Sequence, residues 1–200
     1  MKRVNVLLAG GASRRFGEPK AFAKWRGEMF YERAKNAFGS GESVIICRPE
    51  HIERFTSHKE KYVFPDLLPF RGMGPLAGIY TAMEQMEGES YTVLSCDTPL
   101  VSRRTVASLE MRMTGGADAV IPICGKREQP LIAVYHKRVK NLLFDQLTHN
   151  QLRMADALRQ LSVCYVQAEE IGAAPEEFVN INTQDDYLGL LAHMESSNQD

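Results

Sequence analysis

The apolar positions of this chain fall into two alternating patterns. Val4–Ala9 is an apolar run, broken only by Asn5, that ends in Gly10-Gly11, which predicts a strand buried on both faces that delivers its C-terminal end to a loop. Phe30, Tyr31, Ala34, Ala37 and Phe38 have helical spacing, and Ser43–Cys47 is again a short apolar strand. After Gly74-Pro75 a helix with Ile79, Ala82, Met83 and Met86 on one face is expected, then a strand over Tyr91–Cys96 and a helix marked by Val106, Leu109 and Met113. Ala119–Ile123 and Leu131–Tyr135 read as strands. Val139, Leu142, Leu143 and Leu147 mark one helix and Ala155, Leu158 and Leu161 another. Such alternation predicts a single α/β domain, a mainly parallel sheet with helices on both faces, with ligand loops at the carboxyl ends of the strands.

With 200 residues, 44% of them hydrophobic, one compact domain is expected, over residues 1–193, followed by a polar tail over 194–200. Lys plus Arg number 24 and Asp plus Glu 25, a net charge of −1, so no overall field attracts nucleic acid or an anionic membrane. Any anionic ligand must be held locally. Cys47, Cys96, Cys124 and Cys164 show neither disulfide nor zinc-ligand spacing. The start lacks the pattern of a secretory signal and no apolar stretch reaches the length of a membrane span, so a soluble, cytoplasmic protein is expected.

The strongest chemical signal is Leu8-Ala9-Gly10-Gly11-Ala12-Ser13-Arg14-Arg15-Phe16-Gly17-Glu18-Pro19-Lys20. Small residues after a buried strand let backbone N–H groups approach an anion, through positive φ where needed, and Arg15 and Lys20 add local positive charge. The spacing fits neither the P-loop nor the dinucleotide fingerprint. Farther along, the strand Tyr91–Cys96 ends in Asp97-Thr98-Pro99, which sets a carboxylate at the ligand edge, where it can hold Mg²⁺ together with substrate phosphates. Asp66 follows a short strand over Tyr62–Phe64, and Gly72-Met73-Gly74-Pro75 opens a helix whose first N–H groups favour an anion or a polar base edge. The five histidines form no catalytic pattern.

The loop resembles the L-A-G-G-x-S-x-R-[MF]-G-x-x-K opening of nucleotidyltransferases of the sugar-phosphate and cofactor type. Cys96-Asp97-Thr98-Pro99 is similar to their C-D-x-P metal motif, and Gly74-Pro75-Leu76-Ala77-Gly78 to a hallmark of the molybdenum cofactor guanylyltransferase branch. The likeness runs through Phe178–Asp186, similar to an N-x-N-T-x-x-D/E segment expected as a short strand and a capped helix. It implies a Rossmann-like nucleotide-diphospho-sugar transferase fold, GTP and molybdopterin as substrates and Mg²⁺ as cofactor. The reaction implied is transfer of GMP to the molybdopterin phosphate with release of pyrophosphate. CMP transfer to the same cofactor, or nucleotidyl transfer to a small sugar or alditol phosphate, is the alternative. By the same resemblance Leu8, Ala9, Gly10, Gly11, Lys20, Asp66 and Asp97 bind nucleotide, Arg15, Lys20 and Asp97 are catalytic, and Asp97 holds the metal. Asn180 and Asn182 orient either a second metal ligand or the acceptor phosphate, and Lys126, Arg127 and Gln129 are placed toward the acceptor. Other cofactor-biosynthesis proteins or molybdoenzyme chaperones are implied as partners. One position departs: where several relatives carry a base-reading Asn, this chain has Cys47.

Overall fold

The computed structural model describes residues 2–196 apart from 12, 14 and 15. The chain runs β1 (Arg3–Ala9), β2 (Lys24–Trp25), β3 (Glu28–Met29), α1 (Phe30–Ala37), β4 (Glu42–Cys47), α2 (Ile52–Ser57), β5 (Val63–Phe64) and α3 (Pro75–Gln85). It continues through β6 (Ser90–Ser95), α4 (Arg103–Arg112), β7 (Ala119–Cys124), β8 (Arg127–Glu128), β9 (Ile132–His136), α5 (Val139–Thr148), α6 (Met154–Leu158), β10 (Val163–Gln167) and α7 (Gln184–Ser196). The main sheet has the order β10-β7-β9-β6-β1-β4-β5, with β8 added beside β7, and β2 and β3 form a separate hairpin.

The expected sheet is there. Strands β5, β4, β1 and β6 are parallel, as are β7 and β10, and β9 runs antiparallel between β6 and β7. The apolar run of β1 is shared by two cores, because successive side chains point to opposite faces. Leu7 and Ala9 pack with Ile45, Leu94 and Val134 against α1 and α4, through Tyr31, Ala34, Val106 and Leu109. Val4 and Val6 pack with Val44, Val93 and Tyr135 against α3 and α5, through Leu76, Ile79, Ala82 and Leu143. This two-sided burial is why the strands read as continuous apolar runs rather than alternating ones.

Three details shape the functional edge. Strand β7 pairs with β9 only at Ala119–Tyr135 and Val120–Val134, then meets β8 at Ile123 and Cys124. Pro122, lacking an N–H, lies at this parting, and its carbonyl accepts from the Gln129 N–H at 2.9 Å. The sheet therefore splits open beside β9. Second, Gly78 on α3 lies so close to β1 that a Cβ there would meet Leu8 Cδ2 at 2.8 Å, so any larger residue would have to displace the end of the Leu8 side chain. Third, the expected strand near Val179–Asn182 is irregular chain. Its Ile181 N–H donates to the Asp97 carbonyl at 2.8 Å, beyond the last residue of β6, so it makes no ladder. The capped helix after it is present: Thr183 Oγ1 accepts from the Asp186 N–H at 3.1 Å, and the Asp186 carboxylate accepts from the Asn182 and Thr183 N–H groups at 2.8 Å each. Helix α7 continues to Ser196, so 194–196 of the expected tail are helical.

Candidate active site

The site begins at the loop between β1 and the short 3₁₀ turn over Lys20–Phe22. Ser13 adopts a left-handed conformation, φ 48°, and its carbonyl accepts from the N–H groups of Phe16 and Gly17 at 2.9 and 3.2 Å, folding the loop back on itself. Its Oγ accepts from the Lys20 N–H at 3.2 Å. Phe16 is buried in an aromatic cluster with Phe30 and Tyr187, which fastens the far side of the loop to α1 and α7. The expected positive φ belongs to Ser13 and Gly17 rather than to Gly10 or Gly11. A Cβ at Gly10 or Gly11 would meet no described atom within 4 Å, so there the small residues leave open space beside the backbone.

Lys20, only 8% exposed, is carried inward by this loop. Its ammonium donates to Asp97 Oδ2 at 3.2 Å and to Asn182 Oδ1 at 2.8 Å. Three segments distant in sequence thus meet at one atom: the loop after β1, the turn after β6 and the chain before α7. Asp97 is held by its own backbone, through the Ile181 bond, while Thr98 Oγ1 donates to the Ser95 carbonyl at 3.0 Å. A cavity of about 40 Å³ adjoins the pair, lined among others by Leu8, Gly11, Ser13 and His51.

On the far side of Asn182 the opened sheet forms a cleft of about 1090 Å³. Its walls include Lys126, Arg127, Gln129, Asn180, Asn182 and Thr98. Both asparagines assigned from sequence therefore face this cleft, and Asn182 also touches Lys20. On the opposite flank, two strands over, Asp66 follows β5. Its Oδ2 accepts from the Gly72 N–H at 3.1 Å, and burial raises its pKa above the usual carboxylate value, an effect opposed by that N–H and by Arg71. Leu8 joins the two regions, since it lines the small cavity and abuts Gly78 close to Asp66.

The structure brings Leu8, Ala9, Gly11, Lys20 and Asp97 around one cavity and Asn182 against it, with Asp66 apart at the same edge. Arg15 lies outside the described residues. Cys47 is buried at the end of β4, and its thiol is pushed up to about 12 by burial and by the negative charges of Asp66 and Glu50, so it stands there as a neutral, weakly polar group. Sequence reasoning missed two residues of this site. Ser13 was visible only as part of a motif, although its hydroxyl tethers Lys20. His51, given no role, lines the cavity with its ring edge-on to Phe22 at 6.3 Å, and the available signal was its place in the loop that follows a parallel strand.

The oxygens around Lys20 suit a hard cation. One carboxylate and one amide oxygen match the ligands of Mg²⁺, which takes oxygen donors and usually draws the rest of its shell from water and phosphate. Among the described residues no cluster of three or more His, Cys, Asp or Glu side chains could hold a metal without such help. No helix among them is long and apolar enough to cross a membrane.

Comparison with known proteins agrees with this fold. Residues 5–164 match the model of a family described as the MobA-like NTP transferase domain. The chain is 73% identical over 200 residues to a probable molybdenum cofactor guanylyltransferase of Bacillus velezensis, covering 100% of both chains. It is 62% identical over 190 residues to a protein of the same description from Bacillus subtilis, covering 95% of each. Among solved structures it is similar to molybdopterin-guanine dinucleotide biosynthesis protein A of Archaeoglobus fulgidus, with a TM-score of 0.83 and 26% identity over 96% of this chain and 99% of that one.

Proposed function

This chain belongs to the family of MobA-like NTP transferases, and from that we propose its reaction: GMP is transferred from GTP to the phosphate of molybdopterin, and pyrophosphate is released. An oxygen of the acceptor phosphate attacks the α-phosphorus in line, the new P–O bond forms as the bond to the pyrophosphate oxygen breaks, and the electron pair leaves with pyrophosphate. The nucleophile is already ionised, so no general base is required. The protein's task is to place two anions against each other and offset their charge.

The observation that carries this reading is the meeting of Lys20, Asp97 and Asn182 between a small cavity under the glycine loop and a large cleft opened by the parting of β7 and β9. Triphosphate lies over Gly10-Gly11 within reach of Lys20, with the nucleoside running past Leu8 toward Asp66. Molybdopterin occupies the cleft, where Lys126, Arg127, Asn180 and Asn182 offer charge and hydrogen bonds to its phosphate. The volume suits a ligand of that size. Asp97 with Asn182 would hold Mg²⁺, which when bound supplies Lewis-acid neutralisation of the phosphate oxygens.

The test is to incubate the protein with molybdopterin, MgCl₂ and GTP, CTP or ATP in turn and to measure pyrophosphate. Release with GTP well above that with CTP is expected. Release with CTP alone would reassign the base, and release with none of them would refute the reaction.

A further inference from the structure

In a site built to hold a divalent cation, the ligand oxygens already surround a cation of the protein's own. Lys20 Nζ lies 3.2 Å from Asp97 Oδ2 and 2.8 Å from Asn182 Oδ1, and the side chains of Lys20 and Asp97 are 10% and 22% exposed. The ammonium arrives there by construction rather than by chance rotation. Its backbone N–H is tethered to Ser13, the turn after it is fixed by the Phe22 N–H on the Pro19 carbonyl at 3.0 Å, and Asp97 and Asn182 are aligned by the Ile181 bond. A metal ion within bonding distance of Asp97 and Asn182 would stand in the space the ammonium fills, and two cations so close in a half-buried pocket repel strongly.

We infer that Lys20 acts as a resident stand-in cation that keeps bare divalent ions off Asp97 and Asn182 until a triphosphate draws its ammonium away, so that metal and nucleotide are admitted only together. The inference rests on the reading of Asp97 as the metal ligand. It has two consequences. The contact keeps the two oxygens paired and aligned instead of leaving a half-buried carboxylate unneutralised. And Lys20 exchanges one set of anionic partners for another during binding, so its move to the triphosphate releases the oxygens as the metal arrives.

The experiment measures Mn²⁺ binding by the loss of the free-ion electron paramagnetic resonance signal, with and without the α,β-methylene analogue of GTP. Wild type should bind bare Mn²⁺ weakly and, with the ion chelated by the analogue in a protein-free control subtracted, bind one ion firmly once the analogue is added. Lys20→Met should bind bare Mn²⁺ at least about tenfold more tightly than wild type, because the competing charge is gone, and Lys20→Met combined with Asp97→Asn should lose that gain. Bare-ion affinity in Lys20→Met no tighter than in wild type, with analogue-dependent binding still abolished by Asp97→Asn, would overturn the inference and leave the metal reading standing. Analogue-dependent binding that survives Asp97→Asn would instead sink the metal reading, and the inference with it. Should Lys20→Met fail to fold, the lysine ¹⁵N ammonium resonance of wild type decides. It should move when Mg²⁺ and the analogue are added together and hold still with millimolar Mg²⁺ alone, and movement with Mg²⁺ alone would refute the exchange.

Discussion

Asp97 and Lys20 neutralise each other, so loss of either one leaves the other's charge poorly solvated and lowers stability as well as catalysis. Asp97→Ala should lower pyrophosphate release by about 10²-fold or more, the scale of one preorganised charge-stabilising group. Its circular dichroism should be unchanged, and near-normal turnover at saturating Mg²⁺ would contradict the assignment. Asp66 behaves differently. Its pKa is raised by burial, so between the unfolded and folded values the folded protein keeps a proton that the unfolded chain has lost. Stability therefore falls as pH rises through that window, and the penalty is complete above the folded value. Asp66→Asn should raise Tm at pH 7 by about 1–3 °C, with no gain at pH 3, below the unfolded value, and it should weaken GTP binding. Calorimetric scans at the two pH values check the first claim, and titration with GTP the second. Residues of this kind were legible in the sequence because each follows an apolar strand, but their partners were not. Nothing in the spacing of Lys20, Asp97 and Asn182 announces that three loops meet at one ammonium.

At the scale of elements, α4 carries a carboxylate on its buried face. Glu110 accepts from Arg3 Nη1 and from Thr92 Oγ1, both at 2.8 Å, and so ties the helix to β1 and β6. Its side chain is 5% exposed while that of Arg3 is 31% exposed, so Arg3 regains water when its partner is removed. Glu110→Ala should cost about 2–3 kcal/mol, below the figure for a fully buried pair, seen as a lower urea midpoint with an unchanged slope. The long, strongly apolar elements were readable from periodicity. The short ones were not. Strands β2, β3 and β8 have two residues each, α2 has six, and β10 is an edge strand whose exposed Tyr165 and Gln167 break the apolar run. The segment over Val179–Asn182 was expected to be a strand by its resemblance to the N-x-N-T-x-x-D/E segment. Its register is set instead by one bond to the Asp97 carbonyl, a tertiary contact that no local pattern encodes.

For the whole molecule, the alternation of strands and helices predicted the doubly covered sheet, which the structure has, and the loops that follow the parallel strands β1, β5 and β6 lie at one edge of it. It could not predict that β9 runs antiparallel, nor that β7 leaves it after two residue pairs to open the cleft. A parallel and an antiparallel buried strand present the same run of apolar residues. The consequence is an edge divided in three: Asp66 at one flank, the glycine loop with Lys20 and Asp97 in the middle, and the cleft at the other flank. With a net charge of −1, capture of two anionic substrates rests on these local groups rather than on long-range attraction. The most direct test of this arrangement is a crystal structure with the α,β-methylene analogue of GTP and Mn²⁺, the ion located by its anomalous signal. The account predicts one peak at about 2.0–2.2 Å from an Asp97 oxygen, with the triphosphate over Gly10-Gly11 and Lys20 turned onto it. A triphosphate seated elsewhere, or an ion out of reach of Asp97, would contradict it.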